Sequence, residues 1–231
     1  MQGIGESFLS DLIEPWELSL PKNIKLAYLP VAGMVKLRLT AHFPIGASDT
    51  DTIEEFLPEL YRIAGQYIVG EDCETLDELV HKTLIERRLT LATAESCTGG
   101  NIASALTAQA GASTYFKGGV VAYSNEVKEC ALGVKHSTLE AHGAVSEETV
   151  REMVEGIREH LGADLAIATT GIAGPTGGSP EKPVGTVWIA VASKEKTITQ
   201  LMHYGDRRRQ TIDRTTNQAF AMLIRLICQK D

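Results

Sequence analysis

Hydrophobic positions in the first third of the chain switch between a helical and a strand period. Residues 5–13 put Phe8, Leu9, Leu12 and Ile13 on one side of a short helix, and Pro15 is expected to end it, because proline lacks an N–H and crowds the preceding turn. Residues 25–29 and 34–41 read as strands, the second alternating as VKLRLTA, and Pro30-Val31-Ala32-Gly33 joins them in a hairpin. Helical spacing returns over 52–66, with Ile53, Phe56, Leu60 and Ile63 on one face, and 67–69 is expected to rejoin the sheet. The pattern predicts a small α+β unit over residues 1–74, near the lower size limit for independent stability.

The polar stretch GEDCE at 70–74 has no periodicity, and a second domain over 75–231 follows it. Thr75-Leu76-Asp77-Glu78 has the form of a capping box. A strand at 90–94, a helix through Ile102, Ala105 and Leu106, a strand at 119–123 and a helix at 125–132 stopped by Gly133 come next. Ser146 caps a helix that turns Val150, Met153, Val154 and Ile157 inward. Residues 164–170, DLAIATT, are apolar almost throughout, as a parallel strand buried on both faces is. The turn-rich run GIAGPTGGSPEKPVG at 171–185 is a loop; strand 186–193 then pairs with 197–204 across Lys194-Glu195-Lys196, and a helix over roughly 208–228 closes the domain. Helices alternating with buried strands predict a three-layer α/β/α sandwich with a mixed sheet, its antiparallel strands late in the chain.

Composition narrows the class. The 231 residues are 43% hydrophobic and 6% aromatic, as in a soluble globular chain. No run approaches the roughly 18–20 apolar residues that span a bilayer, and the start lacks the cationic and apolar regions of a secretion signal, so the expected location is the cytoplasm, with no membrane partner. Cys73, Cys97, Cys130 and Cys228 form no Cys-x-x-Cys pair and read as reduced thiols, so no metal site is expected. Residues 1–74 carry five Lys and Arg against twelve Asp and Glu, a balance of −7, whereas the remaining 157 residues carry 17 against 18. A surface of that sign repels phosphate backbones, and no nucleic-acid partner is expected.

Three polar clusters fall at the ends of predicted strands, where open α/β sheets bind ligands. The first is Glu95-Ser96-Cys97-Thr98-Gly99-Gly100. A strand ending in a small hydroxyl residue and two glycines before a helix exposes a nucleophile and lets backbone N–H groups approach a ligand; it is equally a helix cap. The second is Tyr123-Ser124-Asn125 with Lys128 one turn on, and the third is Thr169-Thr170 leading into the glycine loop. Ser96 is a candidate nucleophile with Lys128 as its base, provided that burial or a nearby cation keeps the amine neutral; otherwise Lys128 is a solvated helix lysine. Cys97 is the intrinsically better nucleophile and stands as the alternative, although neighbours on an extended segment point to opposite sides. The loop lacks the ending of a Walker A sequence and the form of a Rossmann fingerprint, but its N–H groups can form an anion nest around Gly171, Gly174, Gly177 and Gly178. Arg207 is a candidate phosphate ligand or part of a solvated basic face.

The stretches AESCTGG (94–100), GGVVAYSNEVKECALGV (118–134), HGAVSEETV (142–150), TGIAGPTGGSPEKPVGTVW (170–188) and GDR (205–207) resemble the competence-damage-inducible (CinA) family, whose C-terminal domain is the nicotinamide-nucleotide amidase. Residues 3–72 resemble the small KH-like middle domain of longer members; those begin with a molybdopterin-binding-like domain associated with ADP-ribose pyrophosphatase activity, to which nothing in these 231 residues corresponds. The resemblance implies hydrolysis of nicotinamide mononucleotide to nicotinate mononucleotide and ammonia, without a cofactor. It implies Ser96 as nucleophile, Lys128 as base and Tyr123 beside them, with Thr98, Gly99, Gly100, Asn125, Thr170, the loop glycines and Arg207 around the substrate. On that reading the N–H groups of 98–100 stabilise the oxyanion, and a homo-oligomer is expected. The alternative is a catalytically silent nucleotide-binding or scaffold module of the same family.

Overall fold

The computed structural model describes residues 1–43 and 52–228; the last three residues of the expected second domain, 229–231, lie outside that set. The chain divides into two compact units, Met1–Asp72 and Cys73–Asp231.

In the first unit, helix α1 (Glu6–Ser19) precedes an antiparallel hairpin of β1 (Ile24–Val31) and β2 (Met34–Ala41). The expected stop at Pro15 does not occur, and α1 runs through it. An internal proline costs about 3 kcal/mol. What outweighs it is packing: Leu9, Ile13 and Trp16 are buried on one face, and the Trp16 indole donates to the Phe56 carbonyl at 2.9 Å. Each such burial contributes roughly 1.5–3 kcal/mol.

The single helix expected over 52–66 is instead a 3₁₀ turn (Ile53–Glu55), helix α2 (Leu57–Ala64) and a second 3₁₀ turn (Gly65–Tyr67). Pro58 explains the break, since it fits the first turn of a helix but not its interior. Residues 67–69 do not join the sheet, which has two strands; the Tyr67 carbonyl accepts instead from the backbone of Gln2 at 2.8 Å.

The second unit carries the five-stranded sheet, in the order β4-β3-β5-β6-β7. Helix α3 (Leu76–Arg87) begins where expected, with the Thr75 hydroxyl accepting from the Glu78 N–H at 3.3 Å and the Glu78 carboxylate reaching back to the Glu74 N–H at 2.9 Å. Strand β3 (Leu91–Glu95) lies between β4 (Phe116–Val121) and β5 (Leu165–Gly171), parallel to both. Strands β6 (Thr186–Ala192) and β7 (Thr197–His203) then pair antiparallel, giving the expected mixed sheet.

One face of the sheet is covered by α7 (Glu147–His160) with α5 (Asn125–Leu132) and α6 (His136–His142) beside it, and the other by α8 (Arg208–Cys228) with α3 and α4 (Asn101–Thr107). Helix α6 was not expected, because its HSTLEAH sequence carries only Leu139 as a buried apolar residue. Strand β4 begins three residues and ends two residues earlier than its pattern suggested, so Tyr123 lies beyond the strand end and is 62% exposed.

Helix α7 crosses α5 so closely that a Cβ at Gly156 would overlap the Leu132 carbonyl oxygen. In an exposed helix, Gly→Ala gains about 1 kcal/mol. Here overlap with fixed backbone reverses the sign, and Gly156→Ala is expected to lose roughly 1–3 kcal/mol. Urea unfolding followed by circular dichroism checks this; a raised midpoint would contradict the close crossing.

Candidate active site

The parallel register puts three strand ends side by side. Glu95 is level with Val121 on one neighbour and Thr169 on the other. The next residues continue the pairing, with the Ser96 N–H donating to the Thr169 carbonyl at 3.0 Å and the Ala122 N–H donating to the Glu95 carbonyl at 2.8 Å. The chain then turns sharply: the Gly99 N–H closes on the Ser96 carbonyl at 3.1 Å, Gly99 and Gly100 adopt φ of +62° and +94°, and α4 begins. Glycine takes such angles without the Cβ penalty that other residues meet.

Helix α5 starts immediately after β4, capped by the Ser124 hydroxyl. Its first turn swings Lys128 back under the strand ends, where the residue is 1% exposed. The Lys128 Nζ donates to the Ala122 carbonyl at 2.8 Å and to Ser96 Oγ at 3.2 Å. Among the described ion pairs none involves Lys128. Burial without a carboxylate disfavours the ammonium, and desolvation holds the Lys128 pKa below the ordinary lysine value of 10.5. The pair therefore has the two properties a serine–amine dyad needs: hydrogen-bond reach and a base whose neutral form is accessible.

Cys97 follows Ser96 and is 6% exposed. Burial pushes its thiol up to about 12, so at neutral pH it is a protonated side chain and a poor nucleophile. The sequence alone left Ser96 and Cys97 as alternatives; their surroundings separate them.

A cavity of about 200 Å³ opens over the dyad. Of the residues singled out in the sequence, Ser96, Cys97, Tyr123, Asn125, Lys128, Thr170 and Gly171 line it, so the thiol state rather than position separates the two nucleophile candidates. Thr170 donates its hydroxyl to the Ala144 carbonyl at 2.6 Å, which ties β5 to the loop that forms one wall. Gly171 is also a packing residue, since a Cβ there would come within 2.7 Å of the Thr186 carbonyl oxygen and 2.8 Å of Val187.

The remaining candidates lie elsewhere. Thr98 is buried with its hydroxyl 2.7 Å from that of Thr169, and neither Gly99 nor Gly100 lines the cavity. Their N–H groups are engaged: Gly99 with Ser96, and Gly100 with the Glu95 carboxylate at 3.1 Å. Those two donors are thus not turned toward an oxyanion. Gly174, Gly177 and Gly178 are outside the lining, and so is Arg207, which is exposed just before α8.

The arginine that reaches the cavity is Arg208, the first residue of α8. Its guanidinium donates to the Gly174 carbonyl at 3.1 Å and to the Tyr123 hydroxyl at 2.9 Å, bridging the glycine loop and the end of β4. In the run Arg207-Arg208-Arg209 only the helix start distinguishes one arginine from the next, and the sequence pattern does not fix that start to a single residue. Ala144 and Val145 also line the cavity; they follow α6 and carried no chemical signal in the sequence. Among the described residues no group of three or more His, Cys, Asp or Glu is placed to hold a metal, and no helix is long and apolar enough to cross a membrane.

The comparisons with known proteins agree with this architecture. The CinA C-terminal domain pattern matches residues 73–227, and that of the damage-inducible protein CinA KH domain matches residues 1–70. A CinA-like protein of Cytophaga hutchinsonii is 44% identical over 227 residues, covering 96% of this chain and 53% of its own length. The chain thus spans about half the length of that relative. The competence damage-inducible protein A of Klebsiella pneumoniae superposes with a TM-score of 0.65 at 42% identity, over 68% of this chain and 97% of that one. A competence/damage inducible protein of Agrobacterium tumefaciens does so with the same TM-score and identity, over 67% and 94%. With both units matched in order and the Ser96–Lys128 corner inside the larger match, the chain belongs to the CinA family.

Proposed function

We propose that the second unit hydrolyses the carboxamide of nicotinamide mononucleotide, giving nicotinate mononucleotide and ammonia through a Ser96 acyl-enzyme. The observation that carries the acyl-transfer chemistry is the 3.2 Å contact between a buried Lys128 Nζ, in none of the described ion pairs, and Ser96 Oγ. The choice of nucleotide rests on the family resemblance. Two features support it: a cavity of about 200 Å³, small beside the roughly 300–1,000 Å³ of sites that enclose a whole ligand, and Arg208 on its wall. A carboxamide-bearing ring enters such a space, while an attached anionic group stays near the guanidinium.

The steps balance without a cofactor. Neutral Lys128 takes the Ser96 proton as Oγ bonds to the carboxamide carbon. The oxyanion requires donors from the cavity wall, and the Asn125 amide is one that lines it. As the C–N bond breaks, Lys128 returns the proton to the departing nitrogen, which leaves as ammonia. Water then attacks the ester, giving one proton to Lys128 and through it to Ser96 Oγ; the acid product loses the second proton to solvent and leaves as the carboxylate.

Ammonia release by the purified chain tests the reading. Ser96→Ala and Lys128→Ala are each expected to lower kcat/KM on the order of 10³-fold or more, whereas Cys97→Ala stays within a few-fold of wild type. Loss of activity with Cys97→Ala alone would reassign the nucleophile, and binding of the nucleotide without ammonia release would leave a silent binding module.

The pH dependence has a definite sign. Activity needs the neutral amine, which accumulates as pH rises; because burial lowers the Lys128 pKa, the rising limb of kcat/KM is expected to centre below 10.5. A limb centred at or above that value would contradict a desolvated base.

Positioning by a remote group predicts that free nicotinamide reacts far more slowly than the nucleotide, mainly through kcat. Equal turnover of the two would remove Arg208 from the account. Finally, at pH 8 iodoacetamide is expected to modify the exposed Cys130 and Cys228 and to spare Cys97, as read by peptide mass spectrometry. Early labelling of Cys97 would show that its thiol is neither buried nor raised.

A further inference from the structure

We propose that Glu95 is a positioning residue of the dyad: its buried carboxylate anchors the start of α4 and thereby fixes where the adjoining Ser96 presents its hydroxyl. This rests on the amide-hydrolysis reading, but the device is visible in the geometry alone. Glu95 is the last residue of β3 and 1% exposed. One carboxylate oxygen accepts from the N–H groups of Gly100 at 3.1 Å and Ile102 at 3.0 Å, and the other accepts from Ala103 at 2.8 Å. These are donors that the first turn of a helix leaves without an intrahelical partner.

The usual remedy is a short polar side chain at the residue just before the helix, and Gly100 occupies that position without one. Glu95 takes over the function from five residues upstream. It satisfies the donors and also ties the strand end to the helix start, so the intervening turn that holds Ser96 is closed at both ends. The backbone on either side is held as well, through Ser96 N–H to Thr169 and Ala122 N–H to the Glu95 carbonyl. Only a carboxylate offers two acceptor oxygens and no donor for three converging N–H groups; an amide would turn its NH₂ against one of them.

The consequence is kinetic rather than only structural. A displacement of about 1 Å in a reacting group can cost on the order of 10²-fold in rate, and Ser96 shares a peptide bond with the tethered residue. Loosening the tether therefore lowers the rate of acylation while leaving substrate affinity, which depends on the cavity wall, largely as it was.

Two measurements on the full chain test this: kcat and KM for ammonia release from nicotinamide mononucleotide, and the rate of Ser96 acetylation by p-nitrophenyl acetate, located by peptide mass. Glu95→Gln is expected to lower both kcat and the acetylation rate by roughly 10- to 100-fold, with KM within about twofold of wild type, at a temperature well below its unfolding midpoint. Glu78→Gln, which removes a comparable helix-capping carboxylate from α3, is expected to leave both rates unchanged. Should Glu95→Gln fail to fold, Glu95→Asp, which keeps the charge but shortens the reach, must give the same split.

A folded Glu95 variant with wild-type rates, whatever its stability, overturns the proposal, and so does a wild-type chain that is not acetylated at Ser96. If wild type is acetylated but releases no ammonia from the nucleotide, the substrate reading fails, and the acetylation comparison alone decides the role of Glu95.

Discussion

Lys128 places an amine on a long side chain beneath the ends of three strands, 1% exposed, with a carbonyl and a hydroxyl as its partners. Protonated, such a group carries a desolvation cost of several kcal/mol that neither neutral partner offsets in full. Neutral, it is an ordinary hydrogen-bonding amine. The local architecture follows from supporting that side chain. Its carbonyl partner comes from the residue after β4 and its hydroxyl partner from the residue after β3, so both contacts exist only because β3 and β4 are parallel, adjacent and in register. An antiparallel pair would carry one of those ends to the far side of the sheet.

The same register explains why the third strand matters. β5 flanks β3 on its other side and supplies the Thr169 carbonyl that receives the Ser96 N–H. Its next residue, Thr170, lines the cavity and fastens the opposite wall through the Ala144 carbonyl. Beyond Gly171 the chain enters the loop that Arg208 clasps at Gly174. Nucleophile, base and wall thus come from successive crossovers of one sheet, which is why the strand ends collect the chemistry. Arg208 joins them from the far end of the chain, as the last helix begins.

The helices with strong periodicity and the buried strands were legible in the sequence, as were the serine corner and the lysine. DLAIATT read as a buried parallel strand because it is apolar on both faces. What was not legible depended on contacts distant in sequence. Pro15 inside α1 contradicts its local propensity because Trp16 finds a partner forty residues away. Arg208 rather than Arg207 reaches the cavity because α8 begins where it does, and nothing in a run of three arginines encodes that residue. The N–H groups of Gly99 and Gly100 looked available because glycines permit close approach, but the turn and a carboxylate five residues upstream already use them.

Two ionisable side chains therefore stand beside the nucleophile, Glu95 as its neighbour in sequence and Lys128 as its hydrogen-bond partner 32 residues on, with opposite solutions to burial. Glu95 is buried with three N–H donors converging on its two carboxylate oxygens. Lys128 is buried and enters none of the described ion pairs, and desolvation lowers its pKa. Had the two been paired with each other, the carboxylate would have held the amine protonated and removed the base. Strand alternation keeps them apart: in an extended segment Glu95 and Ser96 point to opposite sides, so the charge that organises the backbone faces α4, and the hydroxyl faces the amine. The one-residue offset between an anchored carboxylate and a hydroxyl turned to the amine is what lets a single strand end serve structure on one side and chemistry on the other.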